Sequence, residues 1–378
     1  MPPRLFVNAH FNCLRLPLRC LGISIACAFI INCSNPIPTH QPLPPQIQPP
    51  ATLTSENLSD LLIGEFSLQR GDSEAATIHL LEVAQSTQDL DTAKRATYLA
   101  QFSQNSSLVK QTSLIWSQIS PQDPLPWQYI AQSEGVTGQF EQALQALTEE
   151  LKRGGGDGLP HIASLSISST AAAQENVQRA LKSWLDTYPN HKQLHLALAL
   201  LAQHSGQIDA AIMHIGEALA QDAHYLQAQV VYGELLIANQ QTQAADTYLR
   251  QFTQPLKKAP RYLISLHAQV LTLMAEYQQA YEYFDELTKR YPKDKSYSYS
   301  AGLLAYENHL YALAYRHLQH VVELDPESHS AYYYMGLSAL REDLQAQAVG
   351  YLQQVKKGPD RLNAITLLLD LENPDHHH

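Results

Sequence analysis

The chain has 378 residues, of which 25 are lysine or arginine and 36 are aspartate or glutamate, so its formal net charge is −11. An acidic surface does not attract phosphate groups, which excludes nucleic acid as a bulk partner. Charged residues are 16% of the chain and tyrosines number 20, whereas typical soluble domains are about 25% charged. Few charges and many tyrosines favour protein contact, since tyrosine supplies a large rigid area at low entropic cost.

Residues 1–32 have the pattern of a secretory signal. Three arginines and no acidic residue accompany the twelve-residue apolar stretch Cys20–Ile31, which is too short to span a bilayer. The stretch leads to Cys33 and resembles a bacterial lipoprotein signal, which implies that Cys33 becomes residue one and carries lipid. Asn32 departs from the small residue usual at that position, and Cys27 is the alternative lipidation site. An uncleaved anchor is a second alternative, which the short apolar run disfavours.

All four cysteines, at positions 13, 20, 27 and 33, lie in or directly after this segment. After cleavage only the acylated cysteine would remain, so no disulfide is predicted. Loss of residues 1–32 removes three arginines and no acid, and the net charge becomes −14. Under the sorting rule of the lipoproteins it resembles, Ser34 implies the periplasmic face of the outer membrane, with the lipid as the only membrane contact.

Residues 33–53 are predicted to form a proline-rich tether. Seven prolines lie between Pro36 and Pro50, and the only titratable side chain after Cys33 is His40. Such a segment favours extended polyproline II at about 3.1 Å per residue, so it could hold the rest of the chain up to roughly 60 Å from a membrane. Recognition of the prolines by a partner is the alternative.

From residue 54 onward, small residues recur at fixed offsets. Within a unit they lie twelve apart, and successive units are offset by 34 residues, with one step of 35. The pairs are Gly64 and Ala76, Ala199 and Ala211, Gly233 and Ala245, Gly302 and Ala314, and Gly336 and Ala348. Small residues are required where two helices cross closely. This period resembles the tetratricopeptide repeat family, which implies an all-α superhelical solenoid of about eight or more helix pairs that binds proteins on its inner surface.

The repeats divide the chain further. We predict N-terminal repeats at 54–158, a degenerate repeat at 159–190, C-terminal repeats at 191–358, and a capping helix and tail at 359–378. In the degenerate repeat the first helix is expected around His161–Ser168, and the preceding glycine run Gly154–Gly158 is expected to be a flexible loop. A closing helix at about Arg361–Leu371 would cover the last apolar face, and His376–His378 are a tail or an added tag.

The sequence contains no recognisable catalytic motif. It lacks Gly-x-Ser-x-Gly, and the glycine run is not followed by the Lys-Ser or Lys-Thr of a phosphate loop. Histidines are the remaining candidates: His317, His320 and Glu323 share a helix face, and His191 and His195 lie four apart. Metal sites need three or four converging ligands, so these histidines are predicted to be solvated. No catalytic residue, metal or cofactor is predicted.

Partner-binding residues are predicted on the first helix of the C-terminal repeats, because this helix lines the concave side of stacked helix pairs. The residues that do not face the second helix are Tyr262, Gln269, Tyr299, Leu303, Tyr306, Tyr333, Leu337 and Arg341, flanked by Tyr297 and Tyr334. The alternative is that these tyrosines pack between repeats. Repeats that clamp C-terminal carboxylates carry a lysine and asparagine set that is absent here, which disfavours a cytosolic chaperone-tail receptor.

Two stretches carry a closer resemblance. The matching residues are Leu62, Glu65, Arg70, Gly71, Ala76, Ala84, Thr87, Asp89, Ala93, Arg95, Ala96 and Leu99, and then Leu194, Leu201, Gly206, Ala210 and Ala211. They resemble outer-membrane tetratricopeptide lipoproteins of gamma-proteobacteria that partner a periplasmic C-terminal-processing serine protease. The resemblance implies a non-catalytic adaptor that holds the protease and presents substrates to it, notably peptidoglycan hydrolases.

Two alternatives to this adaptor stay open. The first is a lipoprotein that activates a cell-wall synthase or assists outer-membrane assembly. The second, of another class, is a cell-wall lytic enzyme with its site in the degenerate segment Gly154–Thr170.

Overall fold

The computed structural model describes residues 54–372. Within that range the chain folds into nineteen α-helices and one 3₁₀ turn, with no strand, which confirms the all-α prediction. The predicted signal, Cys33, the tether and the terminal histidines lie outside the described residues. The helices are α1 Ser55–Gln69, α2 Ser73–Thr87, α3 Leu90–Phe102, α4 Ser106–Ile119, α5 Leu125–Val136, α6 Phe140–Lys152, α7 Gly158–Ile167, α8 Ala171–Thr187, α9 Lys192–His204, α10 Ile208–Gln221, α11 Leu226–Ala238, α12 Thr242–Thr253, α13 Arg261–Leu273, α14 Tyr277–Arg290, α15 Lys295–Glu307, α16 Tyr311–Leu324, α17 His329–Arg341, α18 Gln345–Leu352 and α19 Arg361–Glu372.

Helices α1 to α18 form nine consecutive pairs, and three residues separate the two helices of every pair. In eight of these turns the middle residue has a left-handed backbone. Glycine occupies it at 71, 138 and 206, whereas Gln104, Gln240, Ala275, His309 and Asp343 adopt φ of 56–61°. The left-handed residue lets the chain reverse and satisfies the last carbonyls of the first helix. The repeat therefore depends on a turn conformation that the sequence marks with glycine only three times.

The chain divides into two compact units, with the boundary at residues 228 and 229 within α11. In the N-terminal unit the largest core cluster joins α5 to α9, including Leu147, Leu159, Leu181 and Leu194, which are at most 1% exposed. In the C-terminal unit one cluster joins residues of α13 to α16 and another extends to α19.

Helix α19 packs its apolar residues Leu367, Leu368 and Leu371 against the last cluster of the C-terminal unit, and Ala364 is buried there. This agrees with the closing helix expected at about Arg361–Leu371.

The small residues of the repeat lie at close helix crossings. A Cβ atom on Gly302 would come within 2.8 Å of Leu318, and one on Gly336 within 2.8 Å of Leu352, in each case on the second helix of the same pair. Ala314 and Ala348 are fully buried. The twelve-residue offset thus reflects contact between the two helices, as the sequence predicted.

The glycine run before α7 differs from the flexible loop expected. A Cβ atom on Gly155 would lie 2.7 Å from Cγ of Glu150, one on Gly156 would lie 2.2 Å from Cε1 of His191, and one on Gly158 would lie 2.7 Å from the Glu150 carboxylate. The prediction of a flexible loop is wrong, because these glycines are required for tight packing around a buried carboxylate and an imidazole.

Candidate protein-binding surface

Four of the predicted partner-binding residues gather around one core cluster in the C-terminal unit. Tyr299, Leu303 and Tyr306 on α15 and Leu337 on α17 are partly buried and pack against it. Each keeps part of its side chain at the surface, so together they provide an apolar and aromatic surface, which we call the C-terminal surface.

Tyr333 does not belong to that exposed surface. Its side chain is 7% exposed, and its ring centroid lies 5.4 Å from that of the buried Tyr334, in an edge-to-face arrangement. Burial raises the pKa of Tyr333 to about 12. Tyr333 and Tyr334 therefore pack between helices, as the alternative interpretation predicted. The prediction that Tyr333 is available to a partner is wrong.

Arg341 stands exposed at the end of α17. It hydrogen-bonds to the hydroxyl of Tyr306, and this bond raises the pKa of Arg341. The Tyr306 ring in turn lies 5.7 Å from Tyr334 and 5.6 Å from Tyr311. A guanidinium held beside an aromatic ring gives this end of the C-terminal surface a positive group for an acidic or carbonyl-bearing partner.

The two remaining predicted residues lie on α13. Tyr262 is half-buried, and the guanidinium of Arg261 lies 4.5 Å from the centre of its ring and 5.6 Å from that of Tyr291. Gln269 is also half-buried, and it directly follows Ala268, the small residue of the repeat on this helix. These two therefore belong to a different set of contacts from the residues on α15 and α17.

Two of the four histidines predicted to be solvated are buried. His317 is 6% exposed, lies 3.4 Å from an Asp285 carboxylate oxygen, and stacks edge-on against Tyr281. His195 is 5% exposed, with Nε2 2.8 Å from the carbonyl oxygen of Pro189. Burial lowers the pKa of His317. For these two side chains the prediction is wrong, because neighbouring residues cover both His195 on α9 and His317 on α16.

The other two histidines are half-buried and bound to backbone carbonyls. Nε2 of His191 lies 3.0 Å from the carbonyl oxygen of Gly155, and Nε2 of His320 donates to that of Pro292 at 2.7 Å. Burial lowers the pKa of His191. Each ring thus contacts the backbone of a preceding loop.

A shallow depression of about 460 Å³ lies over α14 and α16. Every residue that lines it is of a polar or charged type, and both signs of charge are present, whereas pockets that bind small molecules are lined mostly by hydrophobic and aromatic side chains. The charged and imidazole groups in it are Asp285, Lys289, Arg316, His317, His320 and Glu323.

A buried Asp–His–Thr cluster in the C-terminal unit was not predicted. His267 lies with Nε2 2.8 Å from Asp246 Oδ1 and Nδ1 2.7 Å from Thr253 Oγ1, the same order of groups as in a hydrolase triad. His267 and Thr253 are 0% exposed, so no substrate reaches the hydroxyl. Burial lowers the pKa of His267. The cluster ties α12 to α13, and no spacing in the sequence marks it.

The predicted site of a lytic enzyme, Gly154–Thr170, forms the packed glycine loop and α7. The carboxylate that this loop encloses, Glu150, is 1% exposed. It is therefore out of reach of a polymeric substrate.

A second exposed apolar surface, which we call the N-terminal surface, lies on α1 and α3. Leu58, Leu62 and Phe66 follow one another at four-residue spacing on α1, and each is at least 50% exposed. Tyr98 and Phe102 on α3 are 48% and 80% exposed. The four-residue spacing on α1 is visible in the sequence and could have indicated this surface.

An ion pair links the two helices of the N-terminal surface. Glu65, beside Phe66 on α1, pairs with Arg95 on α3. The pair lowers the pKa of Glu65.

Comparisons with known proteins agree with this architecture. Residues 130–193, which span α6 to α8 and the adjoining ends of α5 and α9, match the tetratricopeptide repeat family model. This segment is similar to tetratricopeptide repeats. The chain is 26% identical over 164 residues to the TPR repeat-containing protein PA4667 of Pseudomonas aeruginosa, an alignment covering 43% of this chain. The chain spans only 27% of the length of that relative.

Solved structures are similar at low sequence identity. YrrB, described as having an unusual peptide-binding site, is 16% identical with a TM-score of 0.45, over 50% of this chain and 98% of YrrB. The Pseudomonas aeruginosa protein pilF is 18% identical with a TM-score of 0.45, over 58% of this chain and 97% of pilF. Within residues 54–372, no helix is both long and apolar enough to span a membrane.

Proposed function

We propose that this tetratricopeptide repeat protein is a non-catalytic adaptor at the periplasmic face of the outer membrane, anchored by lipid on Cys33. It holds a C-terminal-processing serine protease and presents protein substrates to it, such as peptidoglycan hydrolases. When one chain binds both the protease and its substrate, the local concentration of substrate near the protease rises. Cleavage then becomes faster, although the adaptor itself catalyses no reaction.

The observation that carries this proposal is that each compact unit has its own apolar surface, which is made of exposed side chains on α1 and α3 and of partly exposed side chains on α15 and α17. An adaptor needs one surface for the enzyme and one for the substrate. We assign the protease to the N-terminal surface, because Phe66 at 55% and Phe102 at 80% exposure offer the larger apolar contact for a folded partner. The surrounding stretch 61–102 also carries the closer resemblance to protease-binding lipoproteins.

The C-terminal surface is assigned to the substrate. Its tyrosines are half-buried and therefore already ordered, so binding costs little side-chain entropy. Tyr299 and Tyr306 combine apolar rings with hydroxyl groups, and Arg341 adds a cation at the edge. Such a surface accepts different substrate segments with modest affinity, as presentation to a protease requires.

The protease assignment is tested by capture from a periplasmic extract on the purified chain, followed by mass spectrometry. We expect the parent chain to recover the protease and Phe66→Ala with Phe102→Ala to lose it, because a central aromatic anchor contributes about 2 kcal/mol or more, roughly thirtyfold in affinity. The control is Leu273→Ala in the C-terminal unit, whose side chain is also 55% exposed. Recovery of a cell-wall synthase or an outer-membrane assembly factor in place of the protease would replace this function with the corresponding alternative.

The substrate assignment is tested with purified protease and a peptidoglycan hydrolase. Adding the chain should accelerate cleavage, and Tyr299→Ala with Leu337→Ala should reduce that acceleration while protease capture is retained. Hydrolysis of cell wall or of protein by the chain alone would contradict the adaptor.

A further inference from the structure

Three side chains with metal-binding atoms converge between α1 and α2. Nδ1 of His79 lies 3.1 Å from Oδ1 of Asp60 and 3.8 Å from Oε2 of Glu82. The donor atoms of all three lie within 4.8 Å of one another. Asp60 comes from α1, whereas His79 and Glu82 are three residues apart and share one face of α2.

These separations suit one small cation. Zinc binds nitrogen and carboxylate oxygen at about 2.0–2.2 Å in tetrahedral geometry, which places neighbouring donor atoms about 3.3–3.5 Å apart. The separations of His79 Nδ1 from the Asp60 and Glu82 oxygens, 3.1 and 3.8 Å, lie on either side of that value. An ion could therefore be received by small side-chain rotations, without movement of the helices.

The charges around the cluster favour a cation as well. Within residues 54–372, neither Asp60 nor Glu82 has a lysine or arginine at ion-pairing distance. Two carboxylates consequently face a single imidazole. Their side chains are 20% and 56% exposed, so one side of the cluster is open to an entering ion and to water as a further ligand.

We propose that Asp60, His79 and Glu82 form a binding site for a divalent transition-metal ion, with zinc the best match to one nitrogen and two oxygen donors. The bound ion would link α1 to α2. Since α1 carries Leu58, Leu62 and Phe66 of the N-terminal surface, the ion would also hold that surface in place. The proposal stands on the cluster alone and does not depend on the adaptor function. The competing explanation is a hydrogen bond between His79 and Asp60 with no ion.

The test uses the full chain with His376–His378 replaced by alanine, so that the terminal histidines contribute no binding. After treatment with chelator, zinc is titrated calorimetrically and cobalt is titrated by its visible absorption. We expect one ion per chain and a higher melting temperature with zinc. Asp60→Asn, His79→Gln and Glu82→Gln should each weaken zinc binding by more than about tenfold, since loss of even an outer partner of a metal ligand costs 10–100-fold.

A closely matched control exists in the C-terminal unit. His320 and Glu323 form the same pairing at three-residue spacing, 3.7 Å apart and 33% and 60% exposed, but among residues 54–372 no third ligand atom lies within 4.8 Å of both. His320→Gln should leave zinc affinity unchanged. Circular dichroism of the metal-free variants checks that each has folded. Absence of stoichiometric zinc binding, or binding that is equally strong in His79→Gln and Asp60→Asn, would show an adventitious ion only and overturn the proposal.

Discussion

The backbone N–H of Gly158 donates a hydrogen bond of 3.2 Å to Oε1 of Glu150, a carboxylate that is 1% exposed. The donor opens helix α7, so the acidic side chain at the end of α6 meets the first N–H groups of the next helix, where negative charge is favoured. Removal from water outweighs this contact, and burial raises the pKa of Glu150 to about 7. The glycine run therefore encloses a carboxyl group that is partly protonated at neutral pH.

The first prediction concerns the pH dependence of stability at this contact. The folded-state pKa of Glu150 lies above the value of 4.5 for a free glutamate, so the folded chain binds more protons than the unfolded chain between pH 4.5 and about 7. The contribution of Glu150 to the free energy of unfolding is therefore fully present below pH 4.5 and is lost as the pH rises to about 7. Glu150→Gln removes the titration, so the free energy of unfolding of the variant relative to the parent should increase by about 3 kcal/mol over that range. Urea unfolding at several pH values measures it, and a difference independent of pH would contradict it.

The second prediction concerns the packing of the glycine run. A methyl group on Gly156 would lie 2.2 Å from the His191 ring, so Gly156→Ala should lower the free energy of unfolding by about 1–3 kcal/mol through overpacking. The matched control is Gly216→Ala in α10, where a Cβ atom meets nothing within 4 Å. That change should raise stability by about 0.5–1 kcal/mol, because alanine loses less backbone entropy in a helix. Equal melting temperatures for both variants would indicate that the loop accommodates a methyl group at position 156, which would contradict the prediction.

The third prediction concerns the three-residue turns. Ala275 has φ of 61° between α13 and α14, a conformation that costs a non-glycine residue about 1–2 kcal/mol. Ala275→Gly should raise the free energy of unfolding by about 0.5–1 kcal/mol, since relief of strain exceeds the entropy that glycine loses. The reciprocal control is Gly138→Ala, at φ of 78° with nothing near its Cβ position, which should destabilise by a similar amount. Thermal melting of both variants tests the pair, and the same sign of change in both would exclude backbone strain as the cause.

The fourth prediction concerns the anchor. Cys33→Ala should abolish uptake of labelled palmitate and move the chain out of the outer-membrane fraction, because a lipid-modified cysteine is the proposed attachment. Cys27→Ala serves as the control and should retain both properties. If instead Cys27→Ala loses both properties and Cys33→Ala retains them, the lipid is attached to Cys27.

The sequence by itself determined the repeat and the closing helix. Gly302, Gly336 and Ala314 could be placed at helix crossings from spacing alone, because only small side chains allow two helices to approach closely, and this requirement recurs with every repeat. The four-residue spacing of the apolar residues Leu58, Leu62 and Phe66 also indicates a stripe on one face of α1, because the stripe depends only on helical periodicity.

Only the tertiary structure decided which side chains on those helices remain exposed. Tyr299 and Tyr333 occupy equivalent positions one repeat apart, yet only Tyr333 is buried, because its surroundings include Tyr334 and the closing helix region. The packed glycine run and the meeting of Asp60 with His79 likewise depend on residues from different helices. Helical periodicity determines the helix face on which a side chain lies. Its burial and its contacts depend on which side chains of the neighbouring helix lie opposite it.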